Sequence, residues 1–247
     1  GAAFVSIVSQ SPDLLKGIDS KRIATFQRAA GTALNKYRQY VQSDKISWTV
    51  IASPSEAWAE KVFPNLPKEK QVDALWDAIF KATRSDLDNP VEAWTKHNDT
   101  LHEKVHYLNA KKYAKLHYTA PGTDLTIELP KGHLWCGAGS VNEKGEEFMA
   151  NMPTEEVFTV PHKDGVNGYV SSTKPLSYGG NIIDNFKITF ENGRITKVEA
   201  EQGEEVLKNL VATDEGSHYL GEVALVPFKS PISQSNILFY NTLFDEN

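Results

Sequence analysis

Apolar positions in the first half of the chain follow two alternating rhythms. Ala2-Ala3-Phe4-Val5-Ser6-Ile7-Val8 is a near-continuous apolar run rich in β-branched residues, which reads as a buried strand. From Ser20 to about Ser43, Ile23, Phe26, Ala30, Leu34, Tyr37 and Val41 recur at intervals of three or four, which is one face of a helix. Ile46 to Ala52 is a second strand. Ser53-Pro54-Ser55-Glu56 reads as a helix start, with Ser53 as N-cap, Pro54 in the first turn and Glu56 closing a capping box. Leu75, Trp76, Ile79 and Phe80 mark another helix after Pro67, and a further one runs from about Val91 to Lys112. This strand–helix alternation predicts an N-terminal three-layer α/β domain.

The rhythm changes near Tyr113. Leu116-His117-Tyr118-Thr119 and Leu125-Thr126-Ile127-Glu128-Leu129 are short strands around the turn Ala120-Pro121-Gly122-Thr123-Asp124. Asn192-Gly193, set between Ile188-Thr189-Phe190 and Ile195-Thr196, is a hairpin signal, and Tyr178-Gly179-Gly180 is another turn. One helix, about Gly203 to Val211, interrupts the strands. The expected organisation is therefore an α/β domain over 1–112 and a β-rich α+β domain over 113–247. Both ends of the chain are apolar or aromatic, as in Leu238-Phe239-Tyr240 and Leu243-Phe244, whereas natural termini are more often polar. The sequence thus reads as an internal fragment, incomplete at the start of the first domain and at the end of the second.

Composition narrows the function classes. The 247 residues carry 26 Lys and Arg against 32 Asp and Glu, a net charge of −6. No basic patch or polybasic run offers an electrostatic footprint for nucleic acid or for an anionic membrane, so neither is expected as a partner. No apolar run approaches the ~20 residues that span a bilayer. The single cysteine, Cys136, forms no internal disulfide, which with the lack of a secretory leader pattern points to the cytoplasm.

Three clusters carry candidate chemistry. His102-Glu103-Lys104-Val105-His106 spells a zincin-like motif, in which two histidines one helical turn apart hold zinc. The apolar stripe of that helix is Trp94, Leu101, Val105 and Leu108, so both histidines lie ~100° off the core face. Lys104 also puts a charge between them, and the motif reads as a pair of solvent-facing histidines. The second cluster is Glu222, a lone acid in the apolar run Tyr219-Leu220-Gly221-Glu222-Val223-Ala224-Leu225-Val226. A strand buried on both faces would leave that carboxylate needing an Arg or Lys, strong hydrogen bonds or a metal. The third is the pair Glu155-Glu156 at the head of Val157-Phe158-Thr159-Val160. Strand side chains alternate, so the two acids face opposite sides and only one of them fits a given site. His162 and Asp164 follow closely.

Five segments, in order and spread over nearly the whole chain, carry a family resemblance. Asn151-Met152-Pro153-Thr154-Glu155-Glu156-Val157-Phe158-Thr159 resembles the first metal-binding segment of the thermophilic aminopeptidases, the family of aminopeptidase T, aminopeptidase S and PepS. Leu220-Gly221-Glu222-Val223-Ala224-Leu225-Val226 resembles the second. Ala120-Pro121-Gly122-Thr123-Asp124-Leu125-Thr126 and Lys174-Pro175-Leu176-Ser177-Tyr178-Gly179-Gly180 are similar to further family segments. Asn241-Thr242-Leu243-Phe244-Asp245-Glu246-Asn247 is similar to the lead-in to a histidine ligand. Among the family's branches the segments look nearest to streptococcal PepS.

The resemblance implies a metal-dependent aminopeptidase that releases N-terminal residues from peptide substrates and uses two divalent ions (Zn, Co, Mn or Mg). It selects Glu156 and Glu222 as metal ligands, with the other ligands beyond Asn247, so that the fragment alone is expected to be inactive. Proximity in sequence alone adds Glu155, to support a ligand or act as general base, and His162 and Lys163, to orient substrate or stabilise the tetrahedral oxyanion. A homodimer is expected for the full-length protein. The alternative reading is a non-catalytic fragment or interaction domain that binds no metal.

Overall fold

The computed structural model describes residues 2–246, so Gly1 and Asn247, the outer ends of the two expected domains, lie outside it. In chain order the first elements are β1 (Ala3–Val8), α1 (Ser20–Ala33), α2 (Asn35–Gln42), β2 (Ser47–Ala52), α3 (Glu56–Val62), α4 (Lys68–Ala82) and α5 (Pro90–Lys111). Strands follow: β3 (Lys115–Ala120), β4 (Thr123–Glu128), β5 (Cys136–Gly137), β6 (Ser140–Val141), β7 (Glu147–Phe148), β8 (Val157–Thr159), β9 (Val166–Ser171), β10 (Leu176–Tyr178), β11 (Asn181–Glu191) and β12 (Arg194–Gln202). The remainder is α6 (Glu204–Val211), β13 (Val223–Leu225), α7 (Pro231–Ser235) and α8 (Thr242–Asp245). The chain is mixed α/β, as its two rhythms predict. No described helix is long and apolar enough to cross a membrane.

The chain forms two compact units, and it passes between them four times. One unit comprises residues 1–102, 137–156 and 226–247, and the other 103–136 and 157–225. A single boundary near 113 is therefore replaced by an interleaved one. The reason is visible in the first unit's core. Trp58, Ala59, Leu75, Ala78, Ile79 and Ala82 from α3 and α4 pack with Ile232, Phe239 and Phe244. Those last three apolar residues find their burial on α3 and α4 rather than with the strands that precede them in sequence. Trp58 is fully buried; its indole donates to the Phe239 carbonyl at 2.5 Å, and the Phe239 and Phe244 rings stack at 4.6 Å.

Three local expectations are corrected in this unit. The helix expected over 20–43 breaks at Leu34, dividing into α1 and α2. The N-cap of α3 is Ser55, whose hydroxyl accepts from Trp58 N, and not Ser53. A cap takes extended backbone, and Ser55 has it at φ −119°, ψ 158°. The opening strand is not buried: β1 pairs in parallel with β2, and Phe4, Val5 and Ile7 stay 41%, 63% and 60% exposed. Among the described residues β1 and β2 form a two-stranded sheet, which offers little surface to cover a continuous apolar run.

The second unit is antiparallel β, as its sequence predicts. Its main sheet runs β10-β11-β9-β4-β3, with β12 on β11. The hairpins form at the foreseen turns: Pro121-Gly122 joins β3 to β4, Gly179-Gly180 joins β10 to β11, and Asn192-Gly193 joins β11 to β12. Asn192 and Gly193 both have positive φ, 49° and 81°, which suits the right-handed twist of the ribbon. Leu207 and Val211 of α6 are buried, as are Ile183 of β11 and Phe190. A smaller sheet, β13-β8-β5, holds the acid-bearing segments at its margins.

Two predictions follow from this packing. Trp58→Phe keeps a ring in the core but deprives the Phe239 carbonyl of its donor, and should cost about 1–3 kcal/mol in urea unfolding. Trp58→Ala should cost about 3–5 kcal/mol. Gly193→Ala would place a Cβ 1.7 Å from the Lys163 carbonyl oxygen, whereas Gly145→Ala, at the same φ of +81°, meets nothing within 4 Å. Gly145→Ala should lose only the ~1–2 kcal/mol of left-handed backbone strain, and Gly193→Ala distinctly more.

Candidate metal centre

The segment before β8 is anchored residue by residue. Val50 N of β2 donates to Ala150 O at 2.8 Å, and Met152 N donates back to Val50 O at 3.0 Å, so residues 150–152 run parallel beside β2. Pro153 and Thr154 are buried. His97 of α5 lies 2.8 Å from the Thr154 carbonyl through Nε2. A carbonyl only accepts, so that contact assigns the ring proton to Nε2 and leaves Nδ1 as the acceptor, facing Arg84 Nη2 at 3.4 Å.

Glu155 is 1% exposed and meets Arg84 through both oxygens, at 2.5 Å (Nη1 to Oε1) and 2.9 Å (Nη2 to Oε2). A buried carboxylate needs such a partner, and the two-pronged guanidinium matches its geometry. Deleting one member of a buried pair typically costs about 3–5 kcal/mol. Arg84 follows the end of α4 in the left-handed region, at φ 56°, where glycine or asparagine is the usual occupant. Its guanidinium lies 5.7 Å from the Trp94 ring centroid, and the Trp94 indole in turn donates to the Thr83 carbonyl at 2.6 Å.

The general-base role considered for Glu155 is therefore corrected. An acid with both oxygens on a guanidinium, cut off from solvent, presents no free oxygen to a water. The geometry fits the supporting role instead. Glu156, the next residue, is half-buried and leads directly into β8.

Glu222 lies one residue before β13, and it too departs from expectation. The run around it is not a long strand buried on both faces: β13 is three residues, and Glu222 is exposed. Surrounding protein still desolvates its carboxyl enough to push the pKa above the usual carboxylate range. Among the described residues, no hydrogen bond or ion pair is made to that carboxylate.

His162 and Lys163 lie in the turn between β8 and β9, and both are exposed. His162 N donates to Glu128 O and Gly165 N to His162 O, which closes the turn. The Lys163 ammonium sits 4.5 Å over the Tyr219 ring, three residues before Glu222. Tyr219 also meets Arg194, which pairs with Glu215 at 2.5 Å. The structure thus brings Lys163 to the Glu222 segment.

The zincin-like motif gains no support. His106, Glu103 and Lys104 are exposed, while His102 is half-buried and lines an apolar cavity of about 520 Å³ with Trp94, Phe148 and Met152. The expectation of two solvent-facing histidines holds for His106 and is corrected for His102. No group of three or more His, Cys, Asp and Glu side chains among the described residues is arranged to hold a metal. Glu156 and Glu222 are hard oxygen donors that fit a divalent cation, but they do not complete a site. Arg84 and His97 had no sequence signal; an arginine after a helix and a histidine on a helix face are unremarkable until Glu155 is placed between them.

The whole chain, residues 1–247, matches the family model described as thermophilic metalloprotease (M29). It is 71% identical over 247 residues to aminopeptidase AmpS of Bacillus subtilis, 51% to aminopeptidase PepS of Streptococcus thermophilus and 43% to aminopeptidase T of Thermus thermophilus. Identity is thus higher to the Bacillus protein than to the streptococcal one whose segments it resembles. Each match takes in all of the chain and 60% of the relative, so the chain spans well under two thirds of these relatives' length. The solved structure of wild-type AmpT from Thermus thermophilus matches with a TM-score of 0.93 at 42% identity, over all of this chain and 61% of that one. The chain belongs to the thermophilic metalloprotease (M29) family.

Proposed function

We propose that the protein carrying this chain is a metal-dependent aminopeptidase in which Glu156 and Glu222 are two of the metal ligands. The observation that carries the reading is the family match over the full chain, with relatives that are themselves aminopeptidases. One feature of the residues supports it. The Glu222 carboxyl is partly desolvated without a donor among the described residues, a state that a bound cation would stabilise in its charged form.

Two divalent ions, drawn from Zn, Co, Mn and Mg, would supply an activated water and a Lewis acid for the scissile carbonyl. Glu156 and Glu222 hold part of that charge. Lys163, steered by Tyr219, and His162 orient the peptide substrate from the turn beside Glu222. The remaining ligands come from outside this chain, so the 247 residues alone are inactive. The full-length enzyme is a cytoplasmic homodimer acting on peptides.

Metal analysis of the full-length protein tests the proposal. About two ions per chain are expected, with metal and aminoacyl-anilide hydrolysis both lost in Glu156→Ala and in Glu222→Ala. Metal content and activity unchanged in both variants would sink the assignment and favour a non-catalytic fragment. Loss on His102→Ala alone would revive the zincin reading. The purified 247-residue chain should show little hydrolysis, and robust turnover by it would contradict the incomplete-site reading.

A further inference from the structure

We infer that Arg84 is a positioning residue for Glu156, acting through the Glu155 side chain and the Thr154–Glu155 backbone. This rests on the reading of Glu156 as a metal ligand. Two restraints act on the two residues that precede it, and a third on the segment just upstream. Both oxygens of Glu155 are held by the Arg84 fork. The Thr154 carbonyl accepts from His97, whose other ring nitrogen faces the same guanidinium. Upstream, residues 150–152 are tied to β2 by two backbone hydrogen bonds.

With the Glu155 side chain held inward by Arg84 and the Thr154–Glu155 peptide plane held by His97, rotation of the chain at Glu155 is restricted, and with it the direction in which the Glu156 side chain leaves the backbone. Buried ion pairs are weak stabilisers compared with well-packed apolar residues of the same size, so folding alone does not require this one. What an apolar pair lacks is the two-point, planar registration of the fork. Arg84 is also built to hold still. It accepts a left-handed backbone angle that glycine takes without strain, and its guanidinium packs against the face of Trp94.

The test uses the full-length protein and Co²⁺ as the probe. It compares the parent, Arg84→Met, Arg84→Met/Glu155→Leu and Glu156→Ala. Co²⁺ affinity is measured by competition with a chelator, alongside the cobalt visible absorption, thermal unfolding of the metal-free protein, kcat and KM. Arg84→Met leaves Glu155 buried without its guanidinium partner and should unfold at lower temperature. The double variant removes both charges and should recover the metal-free unfolding temperature. If Arg84 positions Glu156, the double variant still binds Co²⁺ roughly 10-fold or more weakly, with an altered absorption band. Its kcat should fall by about the same factor while KM stays within about twofold. A double variant with parental Co²⁺ affinity and spectrum would show that the pair serves folding only, and would overturn the inference. Glu156→Ala separates this from failure of the underlying reading. Co²⁺ loss there with a parental double variant refutes only the role of Arg84, whereas unchanged Co²⁺ binding in Glu156→Ala refutes both.

Discussion

A carboxylate at 1% exposure is a constraint that its surroundings have to satisfy, and Glu155 imposes it on Arg84 and His97. An unpaired charge there would cost several kcal/mol or take up a proton. The guanidinium of Arg84 meets it at the end of α4, and α5 brings His97 and Trp94 to the same place. The end of one helix and the face of another are thereby tied to the two residues that precede Glu156, and β2 separately holds residues 150–152 upstream.

Glu222 is treated in the opposite way. It is exposed at the residue level, yet its carboxyl is partly desolvated; Lys163 lies over the Tyr219 ring, and Arg194, also near that ring, pairs with Glu215. Glu155 is neutralised by a protein cation, whereas the Glu222 carboxylate has no such partner among the described residues. On the proposed reading, a metal would meet Glu156 and Glu222 while the charge of Arg84 is held by Glu155.

Much of the local structure was readable from short-range chemistry. Asn192-Gly193 had to be a hairpin turn because few other dipeptides accept two positive φ values, and the stripe Trp94, Leu101, Leu108 had to face inward on a helix. Where competing local signals were close, the reading failed. Ser53 and Ser55 both fit a cap, and only the backbone angles at Ser55 decided between them. The apolar stripe from Ile23 to Val41 ran through the break at Leu34 because periodicity continues across a helix interruption. The burial expected for β1 failed for a different reason: an apolar run records a tendency, and whether a partner covers it is settled by packing.

The sequence by itself determined the α/β character and the hairpins, and the family pattern it carries is what points to Glu156 over its neighbour. Strand alternation alone could say that Glu155 and Glu156 face apart, without saying which faces in. Only the tertiary structure decided that Glu155 is the buried partner of Arg84, and that residues 226–246 return to α3 and α4. It also showed Glu222 to be exposed at a strand margin rather than sealed within one. The physical reason is common to all three. They are set by contacts between residues far apart in the chain, Arg84 with Glu155 and Trp58 with Phe239, whose partners leave no periodic or local trace in the sequence.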